Sequence, residues 1–223
     1  MSDRYERNLG AISQAEQELL KTKRAVIVGC GGLGGHLAEF LTRLGIGHLT
    51  LIDGDVFAES NLNRQLISLE TNLGKNKALE AKNRLLQVRS GLSVKAIDVF
   101  VTEENSSDLL KDHDIIIDAL DNVKTRLLLE KTANALGLPL VHGAVEAWYA
   151  QVSTVFPGDF TLSMLYHANR EFERPSVLPF TPAFCACIQA AEALKVLLNR
   201  GNILRKKLLS ADLKNGSLEI IGL

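Results

Sequence analysis

Two features of this sequence have the residue types and spacing of a nucleotide site. The run GCGGLG at 29–34 follows the apolar residues 25–28 and opens a helix-like stretch. Such a turn lets the backbone approach a phosphate closely and aims free N–H groups at it. Asp53 stands 19 residues after Gly34, at the end of the next predicted strand, where a carboxylate can accept hydrogen bonds from ribose hydroxyls. NAD, FAD and ATP all suit this arrangement, and the alternative is a tight turn that serves only helix–strand packing.

A second set of charged residues narrows the choice of nucleotide. The polar loop after Asp53 ends in Arg64 and Gln65, Lys77 begins a helical run, and Asp121 follows a later strand. Because the carboxyl ends of neighbouring parallel strands open onto one crevice, we expect these loops to meet beside the glycine turn. Arg64 and Lys77 could neutralise the β- and γ-phosphates, and Asp121 could hold Mg²⁺. The set favours ATP, since a dinucleotide dehydrogenase has no evident need for it.

The elements that must position these residues alternate along the chain. Apolar runs predict strands at 25–28, 48–52, 94–100, 115–117 and 140–141, and helical spacing predicts helices at 36–44, 75–88, 126–136 and 183–198. Alternation of this kind predicts a Rossmann-like, doubly wound α/β fold with a mostly parallel sheet. Runs at 208–211 and 218–221 flank Asn215-Gly216, a hairpin signal that adds antiparallel edge strands. We expect a single ATP-binding domain over 1–223, with an N-terminal helical arm at 1–24 that carries a capping box at Ser13 and Glu16.

Composition excludes several classes of protein. The 223 residues include 25 Lys+Arg and 26 Asp+Glu, so sequence-independent binding to nucleic acid phosphates is not expected. No apolar run comes near the roughly 20 residues that span a bilayer, and residues 1–10 lack an apolar signal region. Three cysteines are too few for a disulfide framework or a four-cysteine zinc site. These features predict a cytoplasmic protein without direct nucleic-acid binding.

The motifs, in their order and spacing, resemble the ubiquitin-activating-enzyme-like adenylyltransferase family of the ThiF/MoeB/HesA type. They are RYxR at 4–7, GxGGLG at 29–34, DxD at 53–55, SNLNRQ at 60–65, GxxK at 74–77, DN at 121–122 and the late-helix sequence QAAEALK at 189–195. The resemblance implies adenylation of a carboxylate with ATP and Mg²⁺ and release of pyrophosphate. The usual substrate is the C-terminal glycine of a small ubiquitin-like sulfur carrier of the ThiS/MoaD type, and the usual assembly is a homodimer.

The resemblance also implies which residues bind ATP. They are Gly29, Gly31, Gly32, Gly34, Asp53, Asp55, Ser60, Asn61, Asn63, Arg64, Gln65, Lys77, Asp121 and Asn122. Arg64, Lys77 and Asp121 would be catalytic, with Asp121 as the Mg²⁺ ligand. Arg7 matches an arginine that reaches the neighbouring subunit's ATP site, although Asn8 stands where the family usually has Gln. As plainer alternatives, Arg64 and Lys77 could be solvated cations, Asp121 could only cap a helix, and Arg7 could be a surface residue.

The proposed chemistry needs no general base. A terminal carboxyl group ionises near pH ~3.5, so the attacking carboxylate is already charged at neutral pH. Catalysis can then depend on positioning and on neutralising the departing pyrophosphate. Among the five scattered histidines, His142, near a strand end, is the only candidate for a role at the site, and we predict that it is structural. Asp118 and Arg126 lie near the site in sequence and are predicted to be structural supports.

The sequence departs from the family in its cysteines and in one segment. The two C-x-x-C pairs that bind structural zinc in many relatives are absent, so no zinc is expected. We predict that Cys30 is structural and that Cys185 and Cys187 are inert core residues, not nucleophiles. The segment 157–182, a predicted crossover loop, contains the least family-like stretch at 159–174, with His167 and Phe172. The acceptor substrate is therefore open.

Four functions remain open at this level. The first is activation of a sulfur carrier, for thiamine, molybdopterin or tungstopterin-type biosynthesis. The second is the same half-reaction on a small-molecule or tRNA-linked carboxylate. The third is a non-catalytic nucleotide-binding partner subunit, against which the intact Arg64, Lys77 and Asp121 speak. The fourth is an NAD-dependent oxidoreductase, which leaves those three residues unexplained.

Overall fold

A single sheet of eight strands organises the chain. The computed structural model describes residues 3–166 and 176–223. The strands are β1 (Arg24–Val28), β2 (His48–Ile52), β3 (Ser93–Ile97), β4 (Ile115–Asp118), β5 (Leu140–Glu146), β6 (Tyr149–Val155), β7 (Lys207–Asp212) and β8 (Ser217–Gly222). They lie in the order β3-β2-β1-β4-β5-β6-β7-β8. The first five strands in this order are parallel to one another, and β6, β7 and β8 are each antiparallel to the strand before them. This confirms the predicted Rossmann-like fold and its antiparallel edge.

Helices cover both faces of this sheet. They are α1 (Gln14–Leu20), α2 (Gly32–Leu44), α3 (Lys77–Val88), α4 (Ser106–Leu110), α5 (Val123–Leu136), α6 (Thr161–Leu165) and α7 (Phe180–Leu198), with 3-10 helices at Asp3–Asn8, Glu59–Asn61 and Glu70–Asn72. Side chains alternate along β1, so Ala25 and Ile27 pack under α2, α3 and α7. Val26 and Val28 pack under α4 and α5 on the other face. Burial on both faces explains why β1 is apolar without interruption.

The strand order places a crevice between β1 and β4. The chain runs outward from β1 through β2 and β3 on one side, and continues through β4 and β5 on the other. Ligands bind at such a switch point, beyond the carboxyl ends of the strands. The glycine turn after β1, Asp53 after β2 and Asp121 after β4 all lie at this edge.

Several predicted boundaries are wrong for identifiable reasons. Helix α2 begins at Gly32, not at residue 36, because the glycines form its first turn. Helix α5 begins at Val123, since Asn122 is its N-cap. Strand β3 ends at Ile97, not at residue 100. Strand β6 and the five-residue helices α4 and α6 were not predicted; the latter pair span little more than one turn.

Two expectations on later segments need correction or restriction. By length and composition α7, with 19 residues, could cross a bilayer, contrary to the expectation that no such run is present. Its residues Cys185, Ala186 and Ala193 belong to the main hydrophobic core. In the predicted crossover loop at 157–182, α6 occupies the early part. His167 and Phe172 lie outside the described residues.

Candidate functional site

Two glycines of the turn 29–34 lie in close contact with other backbone segments. A Cβ at Gly34 would lie 1.8 Å from the carbonyl oxygen of Gly29, and one at Gly29 would lie 2.6 Å from that of Ala119. Gly29 also has φ +96°, which favours glycine. A Cβ at Gly31 would lie 3.3 Å from the side chain of Gln65, and one at Gly32 would lie 3.3 Å from that of Pro182. Gly29 and Gly34 therefore serve the packing of backbone on backbone, whereas Gly31 and Gly32 adjoin side chains of the loop 55–65 and of α7.

The N-terminus of α2 is free of a side-chain cap. Its N-cap residue is Gly31, and no side chain among the described residues caps the helix there. The first N–H groups of a helix have no partner within the helix and carry its positive dipole. This end of α2 can therefore bind an anion such as a phosphate group.

Asp53 links the glycine turn to the loop that follows β2. Its Oδ2 accepts the backbone N–H of Cys30 at 2.7 Å, and its Oδ1 accepts that of Asp55 at 2.9 Å. Burial raises the pKa of the Asp53 carboxyl, while these N–H groups and Lys77 oppose the rise. The carboxylate is thus held in place at the crevice, where its remaining lone pairs could accept ribose hydroxyls.

The loop 55–65 is shaped by its own amide side chains. Asn61 is buried, and its Oδ1 accepts the N–H of Ala58 at 3.0 Å. Asn63 donates to the carbonyl oxygen of Val177 at 3.2 Å, which ties the loop to the segment before α7. Asn61 therefore acts on the shape of the loop, whereas Ser60 is exposed.

Arg64 and Gln65 lie beside the glycine turn. Arg64 is half-buried, and its Nη1 donates to Ser60 O at 2.8 Å and to Asn63 Oδ1 at 2.9 Å. The Gln65 amide nitrogen lies 3.3 Å from the position of a Cβ on Gly31. The Oε1 of Gln65 is buried and has no partner among the described residues. The Gln65 amide thus faces the turn, and the backbone of Arg64 adjoins it, with the Arg64 carbonyl oxygen 3.8 Å from the position of a Cβ on Gly32.

Lys77 is a buried cation. It is only 6% exposed, so the alternative of a solvated helix face is wrong. Its Nζ lies 2.5 Å from Oδ2 of Asp55, whose side chain is 56% exposed. A buried ammonium beside an exposed carboxylate can act on phosphate oxygens that enter the crevice.

Asp121 and Asn122 have different roles. Asn122 Oδ1 accepts the N–H of Thr125 at 2.9 Å and caps α5, so the alternative of Asp121 as the cap is wrong. Asp121 is exposed and makes no hydrogen bond or ion pair with the described residues. An oxygen ligand of this kind suits Mg²⁺, which commonly takes one or two carboxylates and completes its shell with phosphate oxygens and water. Residues 3–166 and 176–223 hold no cluster of three His, Cys, Asp or Glu side chains that could hold a metal ion.

Contacts bring these three loops together at the glycine turn. The first loop is joined to it by Asp53, which holds the Cys30 N–H and, through Asp55, reaches Lys77. The second is joined by Gln65, which lies against Gly31. The third is joined by Ala119, two residues before Asp121, whose N–H donates to Val28 O and whose carbonyl packs on Gly29.

Arg7 is the predicted site residue that lies elsewhere. Its 3-10 helix packs at the carboxyl end of α2, where Tyr5 and Gln17 surround Gly45. Helix α2 has 13 residues, so this end is about 20 Å from the glycine turn. The structure therefore does not bring Arg7 to the site of its own chain.

A buried polar network lies directly below the Asp121 loop. The Asp118 carboxylate is fully buried and accepts from Nδ1 of His142 at 2.6 Å, while His142 Nε2 accepts from the Tyr166 hydroxyl at 3.0 Å. Burial lowers the pKa of His142, and Asp118 opposes this only in part. Arg126 faces the same carboxylate at 3.7 Å. The sequence signal was limited to an aspartate at the end of an apolar strand.

The cysteines are free thiols in different surroundings. Cys30 and Cys185 are buried, and burial raises the pKa of Cys30 strongly and that of Cys185 to about 12. Cys187 is exposed, so its predicted place in the core is wrong, although partial desolvation also raises its pKa. Thiols with raised pKa are poor nucleophiles at neutral pH.

Comparison with known proteins identifies relatives over nearly the whole chain. The profile of the ThiF family matches residues 5–222. The chain is 32% identical to the SAMP-activating enzyme E1 of Haloferax volcanii, covering 98% of this chain and 84% of that protein. It is 34% identical to a sulfur carrier protein adenylyltransferase of Thermus thermophilus (94% and 83% covered). It is 35% identical to a molybdopterin-synthase adenylyltransferase of Haemophilus influenzae (94% and 89% covered).

Solved structures share the fold. A crystal structure of E. coli MccB with ATP superposes with a TM-score of 0.86 at 24% identity, covering 100% of this chain and 72% of that chain. A crystal structure of PaaA gives a TM-score of 0.81 at 22% identity, covering 99% and 82%. At these identities the likeness concerns the arrangement of strands and helices.

Proposed function

Because this chain belongs to the ThiF family, we propose that it is an adenylyltransferase that uses ATP and Mg²⁺ to activate a carboxylate. The proposed substrate is the C-terminal glycine of a small ubiquitin-like sulfur-carrier protein. Three relatives at 32–35% identity bear names of enzymes that act in this way or on such carriers. The structural observation that carries the proposal is the set of contacts that bring the loops with Arg64, Lys77 and Asp121 to the glycine turn.

In the proposed reaction a carboxylate oxygen of the carrier attacks the α-phosphorus of ATP. The new P–O bond makes an acyl-adenylate, and the bond from the α-phosphorus to the α,β-bridging oxygen of ATP breaks, so pyrophosphate leaves with that oxygen. The free N–H groups of α2 would bind phosphate, Asp53 would bind the ribose, and Arg64 and Lys77 would neutralise the leaving pyrophosphate. Bound Mg²⁺, held by Asp121, would supply further charge neutralisation. Gln65 and Asn63 would complete the wall of the site.

We further propose a homodimer in which Arg7 acts on the partner's site. Arg7 is exposed, makes no hydrogen bond or ion pair with the described residues, and lies at the far end of α2 from its own glycine turn. This position supports a role in trans rather than at the site of its own chain. Mixing an Arg7→Ala chain with an Asp121→Asn chain should restore part of the activity, because one of the two sites in a mixed dimer is intact. Failure to restore it would remove Arg7 from the mechanism.

A cytoplasmic location is part of the same proposal. Its three free cysteines, two of them buried, suit a reducing compartment.

The test is exchange of labelled pyrophosphate into ATP. We expect exchange with Mg²⁺ and a purified carrier of the ThiS or MoaD type that ends in Gly-Gly, and none with a carrier that lacks the terminal glycine. Mass spectrometry should detect AMP joined to the carrier. Exchange with small carboxylic acids but with neither carrier would instead favour the small-molecule alternative. ATP binding without any exchange would favour a non-catalytic subunit.

A further inference from the structure

We propose that Asp118 and Arg126 are positioning residues that hold the backbone N–H and the backbone carbonyl of Leu120 and so fix the direction of Asp121. The inference rests on the proposed function, since it concerns how Asp121 meets Mg²⁺. It adds two residues to the site that touch neither the nucleotide nor the carrier.

The geometry centres on one residue, Leu120, and on the two peptide groups that flank its Cα. Oδ1 of Asp118 accepts the N–H of Leu120 at 2.9 Å. Nη2 of Arg126 donates to the carbonyl oxygen of Leu120 at 2.6 Å. The two side chains face each other, with Arg126 Nε 3.7 Å from Oδ2 of Asp118. Both polar groups of the residue that precedes Asp121 are therefore held by the two members of one ion pair.

This pair is itself immobilised. Asp118 is fully buried, and its backbone carbonyl accepts from the Gln189 amide of α7 at 2.8 Å. His142 occupies its Oδ2 at 2.6 Å. Arg126 is only 8% exposed and lies over the ring of Tyr166. His142 from β5, Gln189 from α7 and Tyr166, which follows α6, thus contact the pair and hold it in place.

Asp121 depends on this support because it has no other. Its carboxylate is exposed and makes no hydrogen bond or ion pair with the described residues. Mg²⁺ demands nearly ideal octahedral geometry, so a mobile carboxylate binds it poorly. Groups that do not touch the metal but orient one of its ligands typically contribute about 10- to 100-fold in metal affinity. The direction of Asp121 must therefore come from its backbone, which the pair holds.

The experiment measures binding of Mn²⁺, as a probe for Mg²⁺, to the complex of the whole protein with ATP, by loss of the free-Mn²⁺ electron paramagnetic resonance signal. No carrier is present, so no reaction occurs. Arg126→Met should weaken Mn²⁺ binding about 10-fold or more, as should Asp121→Asn, and leave the affinity for ATP without metal unchanged within about twofold. Arg126→Gln should retain most of the affinity, because its carboxamide can still donate to Leu120 O.

The matched control is Arg205→Met. It breaks another ion pair to a buried carboxylate, that with Asp159, in a different part of the fold. It should lower the melting temperature and leave Mn²⁺ binding unchanged. If Arg126→Met does not fold, Asp118→Asn provides the test. This variant keeps the acceptor for the Leu120 N–H and loses the charge that faces Arg126. It should bind Mn²⁺ several-fold more weakly than wild type.

The outcomes separate the two proposals. If ATP with wild-type protein binds Mn²⁺ no better than ATP alone, the proposed function fails and this inference with it. If Asp121→Asn weakens Mn²⁺ binding but neither Arg126→Met nor Asp118→Asn does, only the positioning role is overturned. Equal loss of Mn²⁺ affinity in Arg126→Gln and Arg126→Met would also overturn it, because the bond to Leu120 O would then be irrelevant.

Discussion

Lys77 and Asp55 form an ion pair of 2.5 Å in which the cation is buried and the anion is exposed. The backbone reinforces this pair, because the Lys77 N–H also donates to Asp55 O at 3.0 Å. The loop after β2 and the start of α3 are thus joined twice. An entering triphosphate would meet the ammonium already desolvated and already held, which strengthens its attraction for negative charge.

Removing the charge of Lys77 should reduce catalysis and change stability little. Lys77→Met keeps a long unbranched side chain and should lower the rate of ATP–pyrophosphate exchange about 100-fold, as expected for loss of one preorganised charge. Stability should hold because Asp55 is left exposed to water, not buried. Lys75→Met, at an exposed position two residues earlier, is the control and should exchange like wild type. Exchange in Lys77→Met at the wild-type rate would remove Lys77 from the reaction.

The glycines of the turn should differ sharply in tolerance to alanine. Gly34→Ala would place a Cβ 1.8 Å from the backbone oxygen of Gly29, where no side chain can move aside, and should cost at least about 3 kcal/mol in the free energy of unfolding. Gly91→Ala meets nothing within 4 Å and should be nearly neutral. Urea denaturation measures both. A stable Gly34→Ala variant would mean that the turn and α2 are less closely packed than described.

Local patterns predicted the sheet and the loops at its carboxyl edge. The apolar run of β1, buried on both faces, and the turn before Asp53 are local features, so spacing alone was enough to place them. Strand β6 was not predicted because its inward and outward residues do not alternate cleanly; residues 152–155 are all buried. Its position depends on pairing with β5 and β7, which no local pattern encodes.

The site was predicted where residues follow strands and missed where contacts are distant. Asp121 was predicted from its place after a predicted strand, and Lys77 from its place at the start of a predicted helix. The contact between Asp118 and His142 joins residues 24 apart on neighbouring strands, and the sequence contains no spacing that marks it. The exposure of Cys187 was also missed. An apolar helix that neighbouring elements cover on only part of its surface has the same composition as one that they cover on all sides.

The free energy of unfolding should decrease as the pH is lowered, because of His142. Burial lowers the pKa of His142 in the folded chain, whereas an unfolded histidine titrates near pH ~6.5. As pH falls below this value the unfolded chain binds a proton that the folded chain does not, so the free energy of unfolding decreases. His142→Asn keeps a donor for Asp118 and cannot titrate. Its melting temperature should therefore fall less between pH 7 and 5.5 than that of wild type, by at most about 3–5 °C, because one histidine can change the free energy of unfolding by no more than ~1.3 kcal/mol over this range. His36, whose pKa burial also lowers, is common to both chains, so parallel curves would exclude His142 as the source.

The three thiols should divide into one reactive and two protected groups. Cys187 is exposed, whereas Cys30 and Cys185 are buried with strongly raised pKa values. A disulfide reagent that releases a coloured thiolate should therefore titrate one thiol per native chain and all three after denaturation. Reaction at Cys187 should be slower than with free cysteine, because desolvation raises its pKa too. Cys187→Ser should abolish the native reaction and leave ATP–pyrophosphate exchange unchanged, since the proposed chemistry ends at the acyl-adenylate without a cysteine nucleophile. Loss of exchange in this variant would contradict that assignment, and a second fast thiol in the native chain would contradict the burial of Cys30 or Cys185.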